Sequence, residues 1–147
     1  MPERQVAERR RILLVDDEAS VRSVIRRALE AEGYEVFEAS DAHQALALTA
    51  DLERPVDLAL LDVRLPSMDG PMLAHTLRRL RPGLRVLLIS GYGDASQGEE
   101  IKEHLLGKPF KFDALAACVR DLIETGTCEA CAPVALDQPR RRQAGNE

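Results

Sequence analysis

The sequence predicts an α/β fold: a doubly wound, five-stranded parallel sheet with helices on both faces. Three observations lead there. Short apolar runs, RILLV (11–15), VDLALL (56–61) and RVLLI (85–89), have the composition of strands covered on both sides. The first two are followed by stretches whose apolar residues recur at helical spacing. The connections are short and the two kinds of element alternate, giving five βα repeats in a chain of 147 residues, the size of one ordinary domain.

Taken in order, the first strand is 11–15. Val21, Val24, Ile25, Ala28 and Leu29 then form one helical stripe, which Gly33 ends in the C′ role. Residues 34–39 (YEVFEA) interleave charges with strand formers, as suits a sheet edge. Ser40 or Asp41 can cap a second helix with the stripe Ala42, Ala45, Leu46, Thr49 and Leu52. A third, more buried strand at 56–61 runs into Asp62. The turn residues Pro66 and Gly70 lead to a third helix with Met72, Leu73, Thr76, Leu77 and Leu80 on one face. Arg81-Pro82-Gly83 breaks it, and the strand 85–89 ends at Ser90 and Gly91. The segment GYGDASQGEEIKE is poor in apolar residues, so only a short fourth helix fits before a brief strand at 104–106. Phe112, Leu115, Ala116, Val119, Leu122 and Ile123 mark the last helix.

Composition limits the function classes. Hydrophobic residues make up 45% and charged residues 31%, which reads as soluble and globular. A net charge of −5 does not advertise a nucleic-acid binder. No apolar run approaches the roughly 20 residues that span a bilayer, and MPERQVAERRR has no apolar stretch of a secretory signal behind its charges. Residues 1–10 read as a basic arm, 11–124 as the folded domain, and 125–147, which lack periodicity, as a flexible tail. Cys118, Cys128 and Cys131 are expected to be free thiols in a reducing compartment, and the CxxC of the tail to be incidental.

In a doubly wound sheet, ligands bind beyond the carboxyl ends of the strands. The first strand ends in Asp16 and Asp17, the third in Asp62, the fourth in Ser90, and the fifth runs into Lys108. Singly, each is an ordinary cap or turn residue. Together the predicted fold brings all five to one edge. Three carboxylates in one cleft raise one another's pKa unless a cation neutralises them, and hard oxygen donors suit Mg²⁺. No His or Cys stands at these strand ends, which argues against zinc or copper. A divalent ion, a lysine and a hydroxyl around one carboxylate form a phosphoryl-transfer arrangement with Asp62 as nucleophile.

LLVDDE, LLDVRLPSMDG, LLISGY and LLGKPF, in this order and spacing, resemble the receiver domain of two-component response regulators over about residues 11–124. The resemblance implies a flavodoxin-like sheet of strand order 2-1-3-4-5. It implies Asp62 as phosphoacceptor, Asp17 as a direct Mg²⁺ ligand, Asp16 as one acting through water, and the Arg64 backbone carbonyl as a third. It further implies Ser90 as the switch hydroxyl, with Gly91 and Tyr92 after it, and Lys108 followed by a cis bond to Pro109. The partner it implies is a histidine kinase or histidine phosphotransfer protein in the cytoplasm, with self-catalysed chemistry rather than turnover of an external substrate. Leu105 departs from the family pattern, which has Tyr or Phe there to couple to the hydroxyl.

Haloacid-dehalogenase-type phosphatases also form an aspartyl phosphate, but from a DxD motif after the first strand, where this chain has DDE. No helix-turn-helix pattern follows residue 124, so output is expected through protein contacts or phosphorelay, without nucleic acid or membrane. Leu105 and the short fourth helix leave two other readings open. One is a binding module on a receiver scaffold that no longer switches; the other is a receiver piece of a hybrid histidine kinase.

Overall fold

In the computed structural model, residues 9–52, 55–91, 104–108 and 110–128 are described. Five strands form one sheet: β1 Arg11–Val15, β2 Glu35–Ala39, β3 Leu58–Asp62, β4 Arg85–Ser90 and β5 His104–Gly107. All neighbours are parallel and the order is β2-β1-β3-β4-β5, the flavodoxin-like arrangement expected from the sequence. Four helices are found among the described residues: α1 Ala19–Ala31, α2 Ala42–Asp51, α3 Gly70–Leu80 and α4 Phe112–Thr125. The short helix expected between Ser90 and Lys108, Tyr92 and the bond to Pro109 lie outside the described residues.

Successive side chains of a strand point to opposite faces, and that rule divides the apolar runs between two cores. Leu13, Val15, Ala59, Leu61, Val86 and Leu88 face α2 and α3. Ile12, Leu14, Leu58, Leu60, Leu87 and Ile89 face α1 and α4. Burying each Leu or Ile contributes about 1.5–3 kcal/mol, so both faces hold the sheet. At the edge strand β2, the interleaved charges find partners. Arg11 Nε donates to Glu35 at 3.2 Å, and the Arg11 guanidinium lies 5.2 Å from the Phe37 ring centroid.

Local signals explain the boundaries. Asp41 caps α2 by accepting the Gln44 N–H at 2.8 Å, and Asp69 caps α3 by accepting the Met72 N–H at 2.9 Å. Gly33 ends α1 at φ 100°, a conformation that glycine adopts without steric cost. The third strand starts at Leu58 rather than at 56, because the Asp57 carboxylate turns to the Arg11 N–H at 2.8 Å. The helical stripes are narrower than expected. Val24, Met72, Leu80 and Phe112 are exposed: Val24 flanks the buried pair Ile25 and Leu29, and the other three stand in terminal turns.

One cysteine corrects the sequence reading and another agrees with it. Cys118 on α4 is buried and disulfide-bonded, so the expectation of three free thiols does not hold. Cys128 is buried in the same core and free. At the amino edge of the sheet, Arg10 and Ile123 line one cavity of about 360 Å³, which puts the start of β1 beside the end of α4. No helix among the described residues is long and apolar enough to cross a membrane.

Candidate functional site

The carboxyl ends of β1, β3, β4 and β5 meet at the opposite edge. β1 carries Asp16 at its end and β3 carries Asp62, and both are buried against the sheet. Each uses the same local device. Asp16 Oδ1 accepts the Glu18 N–H at 2.9 Å, and Asp62 Oδ1 accepts the Arg64 N–H at 3.0 Å. This i to i+2 turn is a habit of aspartate, and it leaves one oxygen of each carboxylate for the cleft. Asp62 Oδ2 stands 3.6 Å from Lys108 Nζ. Asp16 Oδ2 is buried without a hydrogen-bond partner. Asp17 is exposed at the mouth, and one carboxylate oxygen from each of the three aspartates lies within 4.8 Å of the others.

An orphaned, buried carboxylate oxygen is costly unless a cation or donor reaches it. Burial is the first cause that raises the Asp16 pKa above its usual range, with Asp17 and Glu18 adding to it. The Glu18 N–H and Lys108 oppose that rise. Asp62 is likewise raised, first by burial and then by the charges of Asp16 and Asp17, against the Arg64 N–H and Lys108. Among the described residues one lysine is paired within the group of three carboxylates, which leaves it short of positive charge. An all-oxygen donor set with an orphaned oxygen fits a hard divalent cation.

Ser90, buried at the end of β4, donates its hydroxyl to the Gly91 carbonyl at 3.2 Å, while its own carbonyl accepts the Lys108 N–H at 2.7 Å. That backbone bond ties the two loops carrying the hydroxyl and the lysine. Arg64 is exposed beside Asp62. Leu105 on β5 packs against the core facing α2 and α3, and its side chain carries no hydrogen-bonding group. The sequence reading missed the closeness of Gly70 to the site. Its N–H donates to the Val63 carbonyl at 2.8 Å, and a Cβ there would stand 2.4 Å from the Asp62 carbonyl oxygen. The signal was present only as a glycine opening a helix, which reads as a turn.

A dinucleotide-binding sheet of this kind would put a glycine-rich turn after β1. Here β1 opens into Asp16 and Asp17, and its neighbour supplies Asp62 with a facing lysine, the layout of a two-component signalling domain. The chain belongs to the response regulator receiver domain family, whose model matches residues 12–120.

The chain is 37% identical over 117 residues to the sensor kinase CckA of Brucella abortus, covering 77% of this chain and 12% of that protein. It is 34% identical over 116 residues to sporulation initiation phosphotransferase F of Bacillus subtilis, covering 75% of this chain and 90% of that one. A crystal structure of the receiver domain from hybrid histidine kinase CckA superposes with a TM-score of 0.67 at 38% identity, covering 78% of this chain and 99% of that one. Other curated relatives are longer regulatory proteins of which the chain spans between 35% and 57%.

Proposed function

We propose that this receiver takes one phosphoryl group from a phosphohistidine onto Asp62 in a Mg²⁺-dependent reaction. The observation that carries this reading is the meeting of three carboxylates within 4.8 Å with Lys108 Nζ 3.6 Å from Asp62. Asp16, Asp17 and the Arg64 carbonyl would hold the ion, with Asp62 as its fourth neighbour. Bound Mg²⁺ supplies positive charge against the phosphoryl oxygens and a template for their orientation. The Asp62 carboxylate attacks phosphorus; the new P–O bond forms as the P–N bond to the imidazole breaks. The electron pair of that bond returns to the histidine nitrogen. Lys108 neutralises charge on the phosphoryl oxygens as it develops. The Ser90 hydroxyl donates to the transferred group once it leaves the Gly91 carbonyl. The donor is a histidine kinase or histidine phosphotransfer protein of the cytoplasm. The protein turns over no external substrate, and its output runs through protein contacts or onward relay.

With Mg²⁺ and a small acyl-phosphate donor, the protein is expected to gain one base-labile phosphoryl group. Asp62→Asn is expected to gain none, as read by intact-mass spectrometry. An unmodified wild-type protein would sink the reading.

The raised carboxylates give a second expectation. The unfolded chain loses the Asp16 and Asp62 protons at lower pH than the folded protein does. Their stabilising contribution is therefore present below the ordinary carboxylate range and is lost as pH rises through the raised folded values. Mg²⁺ takes the ionised forms, so its thermal stabilisation should grow over that rise and level off above it. Melting curves with Mg²⁺ or EDTA between about pH 4 and 8 check this. A gain independent of pH would count against these two groups as the ion's ligands.

A further inference from the structure

We propose that Arg22 is a positioning residue for the acidic cleft, fixing the peptide between Asp16 and Asp17. The inference rests on the phosphoacceptor reading above. Arg22 lies in the first two turns of α1, and its side chain reaches back over the loop that α1 follows. Its Nη1 donates to the Asp16 carbonyl oxygen at 2.6 Å, and its Nε donates to Glu38 Oε1 at 2.9 Å. Glu38 is held in turn by Arg26, which also bonds Glu30.

The carbonyl that Arg22 holds belongs to the peptide joining the two aspartates. The other side of Asp16 is held too, its N–H donating to the Ala39 carbonyl at 3.1 Å, one residue beyond Glu38. The Asp16 backbone is thereby fixed at both its N–H and its C=O. Asp17 needs that restraint most. It is exposed, its carboxylate makes no hydrogen bond among the described residues, and its neighbours in the cleft repel it. The orientation of the 16–17 peptide is what keeps its carboxylate within ligand distance of Asp16 and Asp62.

Arg22 acts here by geometry rather than by charge. Its guanidinium is paired with Glu38, and its bond to Asp16 goes to the backbone carbonyl rather than to the carboxylate. Arg22 makes the two bonds from different nitrogens of one rigid plane, whereas lysine would have to donate both from a single nitrogen on a flexible stem. Glu38 aims that plane, so it belongs to the same device.

The test is Mg²⁺ affinity by calorimetry on the full chain without a phosphoryl donor, for wild type, Arg22→Ala, Arg22→Lys and Glu38→Gln. Outer partners of metal ligands typically contribute 10–100-fold in affinity. Arg22→Ala is expected to bind Mg²⁺ about tenfold more weakly, with Arg22→Lys and Glu38→Gln between it and wild type. Phosphoryl uptake by Arg22→Ala should be slow at low Mg²⁺ and return to within about twofold of wild type when the ion saturates. Unchanged Mg²⁺ affinity in folded Arg22→Ala overturns the proposal, even if its melting temperature falls. If Arg22→Ala does not fold, Glu38→Gln decides: weakened affinity supports the clamp and unchanged affinity overturns it. A wild type that binds Mg²⁺ but takes no phosphoryl group overturns the phosphoacceptor reading and leaves the affinity comparison standing. A wild type that binds no Mg²⁺ overturns both.

Discussion

Gly70→Ala is expected to unfold at a markedly lower denaturant concentration than wild type, losing about 2–3 kcal/mol, and to accept a phosphoryl group on the order of 100-fold more slowly. The added Cβ would lie 2.4 Å from the Asp62 carbonyl oxygen, 3.0 Å from Val63 Cα and 3.1 Å from the Asp62 carbonyl carbon. All three are backbone atoms of the strand end that carries Asp62, so no side chain can swing aside. Either α3 lifts off, breaking the bond from the Gly70 N–H to Val63, or the strand end shifts and takes Asp62 with it. Stability and uptake should fall together. Gly83→Ala is the control, since nothing lies within 4 Å of its Cβ position; it should stay within about 0.5 kcal/mol of wild type. Urea titration and uptake from an acyl phosphate measure both effects. Wild-type stability in Gly70→Ala would mean that α3 is not seated this closely on β3.

Lys108→Ala should have the opposite profile: a large loss of rate with little loss of stability. The ammonium stands 3.6 Å from Asp62 Oδ2 and its side chain is 30% exposed, so the ground-state ion pair is worth little. In the proposed reaction its value lies in the transfer step, where a donor aimed at developing charge contributes about 100–1000-fold. Uptake at saturating Mg²⁺ should fall by that factor while the denaturant midpoint barely moves. A rate within threefold of wild type would remove Lys108 from the chemistry.

The site was more legible in the sequence than its support. LLVDDE and LALLD each end a buried apolar run in aspartate, and a parallel sheet has one carboxyl edge, so Asp16, Asp17 and Asp62 had to converge. The bond pattern around them was less visible. That Asp16 and Asp62 each spend one oxygen on an N–H two residues on is a matter of local dihedral angles, which composition does not encode. Nothing in the sequence marked Arg22, because the carbonyl it reaches is six positions away and its ion-pair partner Glu38 lies on the strand β2. Helix faces were overextended at Val24, Met72, Leu80 and Phe112, since periodicity marks an apolar stripe without saying how much of it the sheet covers. The thiol state of Cys118 was misread because a count of cysteines and the lack of an export pattern say nothing about which sulfurs the fold brings together.

The cavity shared by Arg10 and Ile123 has a consequence for how such a unit is assembled into larger proteins. Where β1 begins and α4 ends, the chain is side by side with itself, on the edge away from Asp62. Adjacent ends of this kind let a domain be spliced into a host chain as a cassette, with both junctions close together and little strain at either. The rim that carries Asp16, Asp17 and Asp62 stays clear of the joints. A sensor kinase of which this chain matches 12% and a phosphotransferase of which it matches 90% can then use one architecture at two scales.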